Sequence, residues 1–194
     1  MRLGERLGVF AQIDQVHALG FDALPAYASS DRIDTLHELG PQAARRLDRL
    51  WTAMAADLQD GLVGVRDAAY LRWRYFEHPE NHYTCLVVRS RWLRRTLGVL
   101  FVKGSGAERE LMDIIAPLPR IPRLLTAARH WLGATAGTRL TLWLASSHAE
   151  RFAPLAQSSA PLEFRIMANP LGPAWVLERF NRRWWLTSGD TDYR

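Results

Sequence analysis

An α+β fold, with a mixed and mostly antiparallel twisted sheet flanked by helices, is what this sequence predicts. Three observations carry that reading. Between residues 83 and 116 three strand-like runs follow one another, with connectors too short to hold a helix. Residues 41–58 and 122–132 carry apolar stripes at helical spacing. Finally, a strand run at 109–116, a helix and a strand run at 138–145 stand in the order of a parallel crossover.

Residues 1–36 give the weakest pattern. Leu3, Leu7 and Phe10 have rough helical spacing, Gly4 and Gly8 weaken it, and residues 20–30 are rich in turn formers. This segment reads as an N-terminal arm or linker, and residues 37–194 as the domain proper. The first firm element follows Gly40, where Pro41 suits a helix start and Leu47, Leu50, Met54 and Leu58 form a stripe. A short turn or strand is expected at 61–65. Asp67 is placed to cap a helix over 68–76 crowded with Tyr70, Trp73, Tyr75 and Phe76, and His78-Pro79 ends it.

Runs 83–89, 96–103 and 109–116 then read as an antiparallel meander, with Gly98 at a bulge in the second. Pro117, Pro119 and Pro122 punctuate the next loop and lead into a helix whose stripe includes Leu124, Leu125, Ala128 and Leu132. A buried strand at 138–145, a short helix at 148–157 and two strands at 163–168 and 183–187 complete the chain. A loop with a helical turn is expected between the last two.

The chain has 194 residues, 48% of them hydrophobic, enough for one ordinary core. No apolar run reaches the roughly 18 residues a membrane helix needs, and the first fifteen residues lack the apolar centre of a secretory leader. The one cysteine, Cys85, lies in a strand pattern and reads as an inert buried thiol, which fits a reducing cytoplasm. A net charge of +5 raises the question of nucleic acid. The arginines are spread along the chain among 20 acids, without the dense block of a basic arm, and this argues against it. Lys103 is the one lysine among 25 Lys and Arg. Arg89, Arg91, Arg94 and Arg95 gather at one hairpin tip, as a solvated turn or near an anionic ligand.

Nucleotide-binding glycine loops, zinc motifs and nucleophile elbows are absent from the sequence, and the six histidines offer no i, i+4 pairing that would suit a metal, His78 and His82 being separated by Pro79. What is present is a pattern: Asp67, Tyr70, Leu71, Trp73, Arg74, Tyr75, His78, Pro79 and Tyr83, then Trp185, Thr187, Gly189, Asp190 and Asp192 near the end. Together with the element order, this resembles a bacterial group within the GNAT acetyltransferase superfamily. The likeness extends over residues 36–192.

The resemblance implies an acyl-CoA-dependent N-acyltransferase, moving an acetyl or other acyl group to a small-molecule or peptide amine. It implies a V-shaped gap between the strands carrying Val99 and Ile114. Pantetheine would pair with the backbone of Asp113, Ile114, Ile115 and Ala116, and Arg120 and Arg123 would assist the pyrophosphate. Ser147 and His148 would stand near the reacting centre, His148 as a proton shuttle and Ser147 as its neighbour or as a helix cap. Asp113 and Glu110 are further candidates for the base. Tyr70 and Trp73 would line the acceptor cleft, and Asp190 would meet a cationic amine or cap a turn. Arg74 is expected to stack on an aromatic or to pair with a buried carboxylate.

In two places the sequence departs from the superfamily. Residues 117–124 read PLPRIPRL, without the glycines that let phosphates approach, and each proline removes a donor N–H. No tyrosine occurs between Tyr83 and Tyr193 to supply the customary acid. The alternative reading is therefore a catalytically silent GNAT-like domain acting as a binding or interaction module. Its partner would be a second such domain or a second copy of the chain.

Overall fold

The computed structural model describes residues 9–26, 31–93, 95–169 and 174–191, the side chains of 174–176 excepted. Leu3, Leu7, Arg94 and Asp192 lie outside them. The strands are β1 (Ala11–Asp22), β2 (Asp31–Leu36), β3 (Leu62–Val63), β4 (Tyr83–Ser90), β5 (Thr96–Lys103), β6 (Glu108–Ile115), β7 (Arg139–Ala145), β8 (Ser158–Ala168) and β9 (Trp184–Trp185). The helices are α1 (Pro41–Asp57), α2 (Ala68–Leu71, continued by a π-turn Arg72–Phe76), α3 (Ile121–Ala134), α4 (Ser146–Phe152) and α5 (Ala174–Phe180). Among them, none is long and apolar enough to cross a membrane.

Seven strands form one sheet in the order β2-β4-β5-β6-β7-β1-β8, antiparallel except for the β6–β7 pair. The meander and the parallel crossover stand as the sequence predicts. The N-terminal segment does not. Instead of an arm or linker, β1 pairs with β7 on one side and β8 on the other, while β2 forms the opposite sheet edge on β4. Val16, Leu19 and Phe21 are fully buried. Their alternation is broken by register shifts on the β8 side between Gln12 and Asp14 and between Gln15 and His17, which obscures the strand period in the sequence.

The chain's last part also differs from expectation. β8 starts at Ser158 and carries Pro161, tolerated because this is an edge strand. β9 leaves the main sheet to pair in parallel with β3.

Alternation along the central strands sorts the core into two faces. Cys85, Val87, Val99 and Phe101 pack with Leu47, Leu50, Leu71 and Tyr75 of α1 and α2. Leu86, Val88, Leu100 and Val102 pack with Leu124, Leu125 and Ala128 of α3. Asp67 caps α2 through the Tyr70 amide at 2.8 Å, as expected. The bulge in β5 falls at Leu97, beside Gly98 and not on it. Burial pushes the Cys85 thiol up to about 12 and leaves it inert.

Candidate functional site

β6 and β7 pair from Glu108–Arg139 to Leu111–Leu142 and then part. Past that point β7 pairs with β1, and β6 stays with β5 through Val99–Ile115. The gap therefore opens on the β7 side of β6, not between the strands carrying Val99 and Ile114. The cause is local. A register shift sets Asp113 opposite Phe101 and Leu111 opposite Val102, leaving Met112 as an extra residue in β6. An extra residue bends and twists its strand, here away from β7.

The chain itself fills the opening. Met54 belongs to α1, Leu58 caps its C-terminus and Trp185 belongs to β9, yet all three share one buried cluster with Ile114, Leu144 and Phe152. The 3₁₀ turn Ser188–Asp190 lies against both β6 and β7. Thr187 and Ser188 are fully buried, and the Gly189 backbone sits so close to Met112 O that a Cβ would lie 3.0 Å from it.

A buried ion network holds this plug. Arg66, wholly buried, donates from Nε to both carboxylate oxygens of Asp113 at 3.0 Å, from Nη1 to Gly64 O at 2.7 Å, and from Nη2 to Asp190 at 2.5 Å. Complete burial pushes the Asp113 carboxyl above its usual range, with the Arg66 charge and the Ile114 amide holding it partly back. Asp190 also accepts the Thr187 amide at 2.9 Å, closing a capping box. Arg74 fastens the same turn by donating to the carbonyls of Gly189 and Thr191 at 3.0 Å. It lies 6.0 Å from the Tyr75 ring, so it meets an aromatic as expected, but carbonyls stand where a carboxylate was anticipated.

At the mouth of the gap lies a pocket of about 320 Å³, lined by Asp57, Asp60, Leu118, Ser147, His148 and Arg151 among others. His148 packs edge-on against Trp185 at 4.9 Å. Burial, and then the Arg151 charge, lower its pKa to about 4, so its imidazole is neutral at pH 7. Ser147 is not the cap of α4. Ala145 holds that position, and the Ser146 amide is met from β1 by Asp14 Oδ1 at 3.2 Å. Among the described residues no group of three or more His, Cys, Asp or Glu suits a metal ion.

The residues linked by resemblance to acyl-CoA are scattered. Asp113, Ile114, Ile115 and Ala116 lie along the gap, all fully buried. Arg123 makes a two-pronged pair with Asp31 of β2, and Arg120 turns toward the Leu97 carbonyl at 3.5 Å. The Leu118 amide, the first after Pro117, is already taken by Asp57 Oδ2 at 2.7 Å. A fixed carboxylate stands where a pyrophosphate oxygen would have to accept, and it would repel one. The filled gap, the three prolines and Asp57 together do not fit acyl-CoA bound as the resemblance implies.

Of the residues expected to meet the acceptor, Asp190 belongs to the Arg66 network and Tyr70 lies beside it, while Trp73 is exposed. Tyr70 and Trp73 are in ring contact at 6.0 Å, and Asp190 is engaged by Arg66. Burial, then Asp113, push the Tyr70 hydroxyl up to about 12. Arg66, Asp57 and Asp14 were not singled out from the sequence. Each acts on a residue tens of positions away, so no local spacing marks it.

No protein-family model matches the sequence, and no curated protein does. Solved structures do. A conserved protein from Enterococcus faecalis V583, described as a probable N-acyltransferase, superposes with a TM-score of 0.58 at 9% identity over 84% of this chain and 42% of that one. A GCN5-related N-acetyltransferase from Anabaena variabilis gives 0.54 at 13% identity, over 84% of this chain and 42% of that one. Another from Kribbella flavida gives 0.50 at 11%, over 87% and 40%. The chain thus spans about two-fifths of the length of these proteins. At such identities the likeness bears on the fold alone, and this chain has the fold of the GCN5-related N-acetyltransferases.

Proposed function

We propose that this chain is a GNAT-fold module that does not itself bind acyl-CoA and serves as the binding or interaction partner of a catalytic N-acyltransferase domain. The observation that carries this reading is the plugged gap: Trp185 and the Ser188–Asp190 turn occupy the space between β6 and β7, fastened by Arg66 and Arg74. The short share of each neighbour's length is consistent with a module that works beside another domain. A second reading, an N-acyltransferase in its own right, is favoured by one feature. The parted strands lead to a pocket that holds Ser147, His148 and Arg151.

Titration of acetyl-CoA and longer acyl-CoAs by calorimetry separates the two. The first reading expects no heat of binding at millimolar ligand. Saturable binding that weakens in His148→Ala or Arg151→Ala would overturn it and support the second.

A further inference from the structure

On the other face of the sheet from α3, arginines converge from four separate segments. Arg46 and Arg49 stand three apart on α1 and share one side of it. Arg89 comes from β4, Arg95 from the turn before β5, and Arg120 from the loop before α3. They line a groove of about 410 Å³ in which, among the described residues, no acidic side chain takes part. Asp34 meets Arg89 Nε at 3.3 Å without lining the groove. Like charges brought together on a folded surface repel, and an anion between them relieves that repulsion.

The groove also has a floor. Arg46, Leu50, Arg89 and Thr96 border both it and a smaller recess of about 60 Å³ running in among Leu47, Val87 and Val99. A charged rim over an apolar recess suits an amphiphile with a compact head.

We propose that this groove binds a phosphomonoester, its phosphate on the arginines and a short apolar group in the recess. A dianion matches several guanidiniums better than a single carboxylate does, and arginine forks fit phosphate oxygens two at a time. Arg120, which the resemblance would give to a pyrophosphate at the β6–β7 gap, lines this groove instead. The same phosphate chemistry has two sources, a free phosphorylated metabolite or a lipid headgroup. The second is raised by Trp92 and Leu93, which are 88% and 77% exposed at the turn of the same hairpin.

Calorimetry with inorganic phosphate and n-butyl phosphate, beside sedimentation with phosphatidylcholine vesicles with and without phosphatidic acid, tests the proposal. Butyl phosphate is expected to bind tighter than phosphate, by about fourfold for each methylene entering the recess. Ala43 also lines the recess, and Ala43→Leu, which narrows it, should erase that gain and leave phosphate binding intact. Arg46→Glu with Arg120→Glu should abolish both, circular dichroism confirming the fold, and Arg49→Glu with Arg95→Glu serves should that pair not fold. Arginine-dependent binding of the soluble phosphates marks a metabolite site, and arginine-dependent capture only by phosphatidic acid vesicles marks a lipid one. Binding to neither, or binding that survives both charge reversals, overturns the proposal, and equal affinity for phosphate and butyl phosphate overturns the part played by the recess.

Discussion

Arg66 and His148 show how single side chains divide the work of this domain. Arg66 is wholly buried between two carboxylates, and removing it would leave Asp113 charged and unpaired in the core. Arg66→Met is therefore expected to cost about 3–5 kcal/mol, and Arg66→Met with Asp113→Leu distinctly less, as measured by urea unfolding. A double variant as unstable as the single one would contradict the pairing. His148 sets a pH dependence. An unfolded histidine takes its proton near pH 6.5, whereas His148 in the fold stays neutral down to about 4. Between those values the unfolded state holds more protons, so stability is full above 6.5 and declines as the pH falls toward 4. His148→Gln should flatten that decline by up to one proton, and the 148 imidazole should titrate in NMR well below the 6.5 of an unfolded histidine.

The decisive element is short: the turn Ser188–Asp190 and the two tryptophans before it. Its glycine is fixed by space, since a Cβ at Gly189 would run into Tyr75 Oη and press on Met112 O. Gly189→Ala is expected to cost about 1–3 kcal/mol and to loosen the turn. Hydrogen exchange should then show the amides of 185–190 opening while those of β4 and β5 keep their protection. Unchanged exchange in the turn would show that the plug is not seated there. The meander and α1 were legible because each is a continuous run with one buried face. Asp67 was legible because a cap acts three residues away. The plug was not, because WW and TSGD bury themselves only against strands far behind them in the chain.

The sheet as a whole depends on the segment with the poorest sequence pattern. β1 lies between β7 and β8 and supplies the carboxylate at the start of α4. A chain lacking residues 1–22 would leave β7 with an open edge and β8 with no strand to pair. We expect it to lose cooperative unfolding and near-ultraviolet dichroism, and a sharp two-state transition would show β1 to be dispensable. By itself the sequence determined the class of fold, the meander, the crossover and the helices on either face. It could do so because side-chain periodicity and turn chemistry are local properties of the chain. Only the tertiary structure decided that residues 11–22 are an interior strand, that the gap lies between β6 and β7, and that the C-terminal segment fills it. The placement of β1 and the seating of the C-terminal segment rest on pairings across more than a hundred residues, such as Val16 with Ala145 and Arg66 with Asp190. Such contacts depend on which surfaces remain to be buried once the nearer ones have paired.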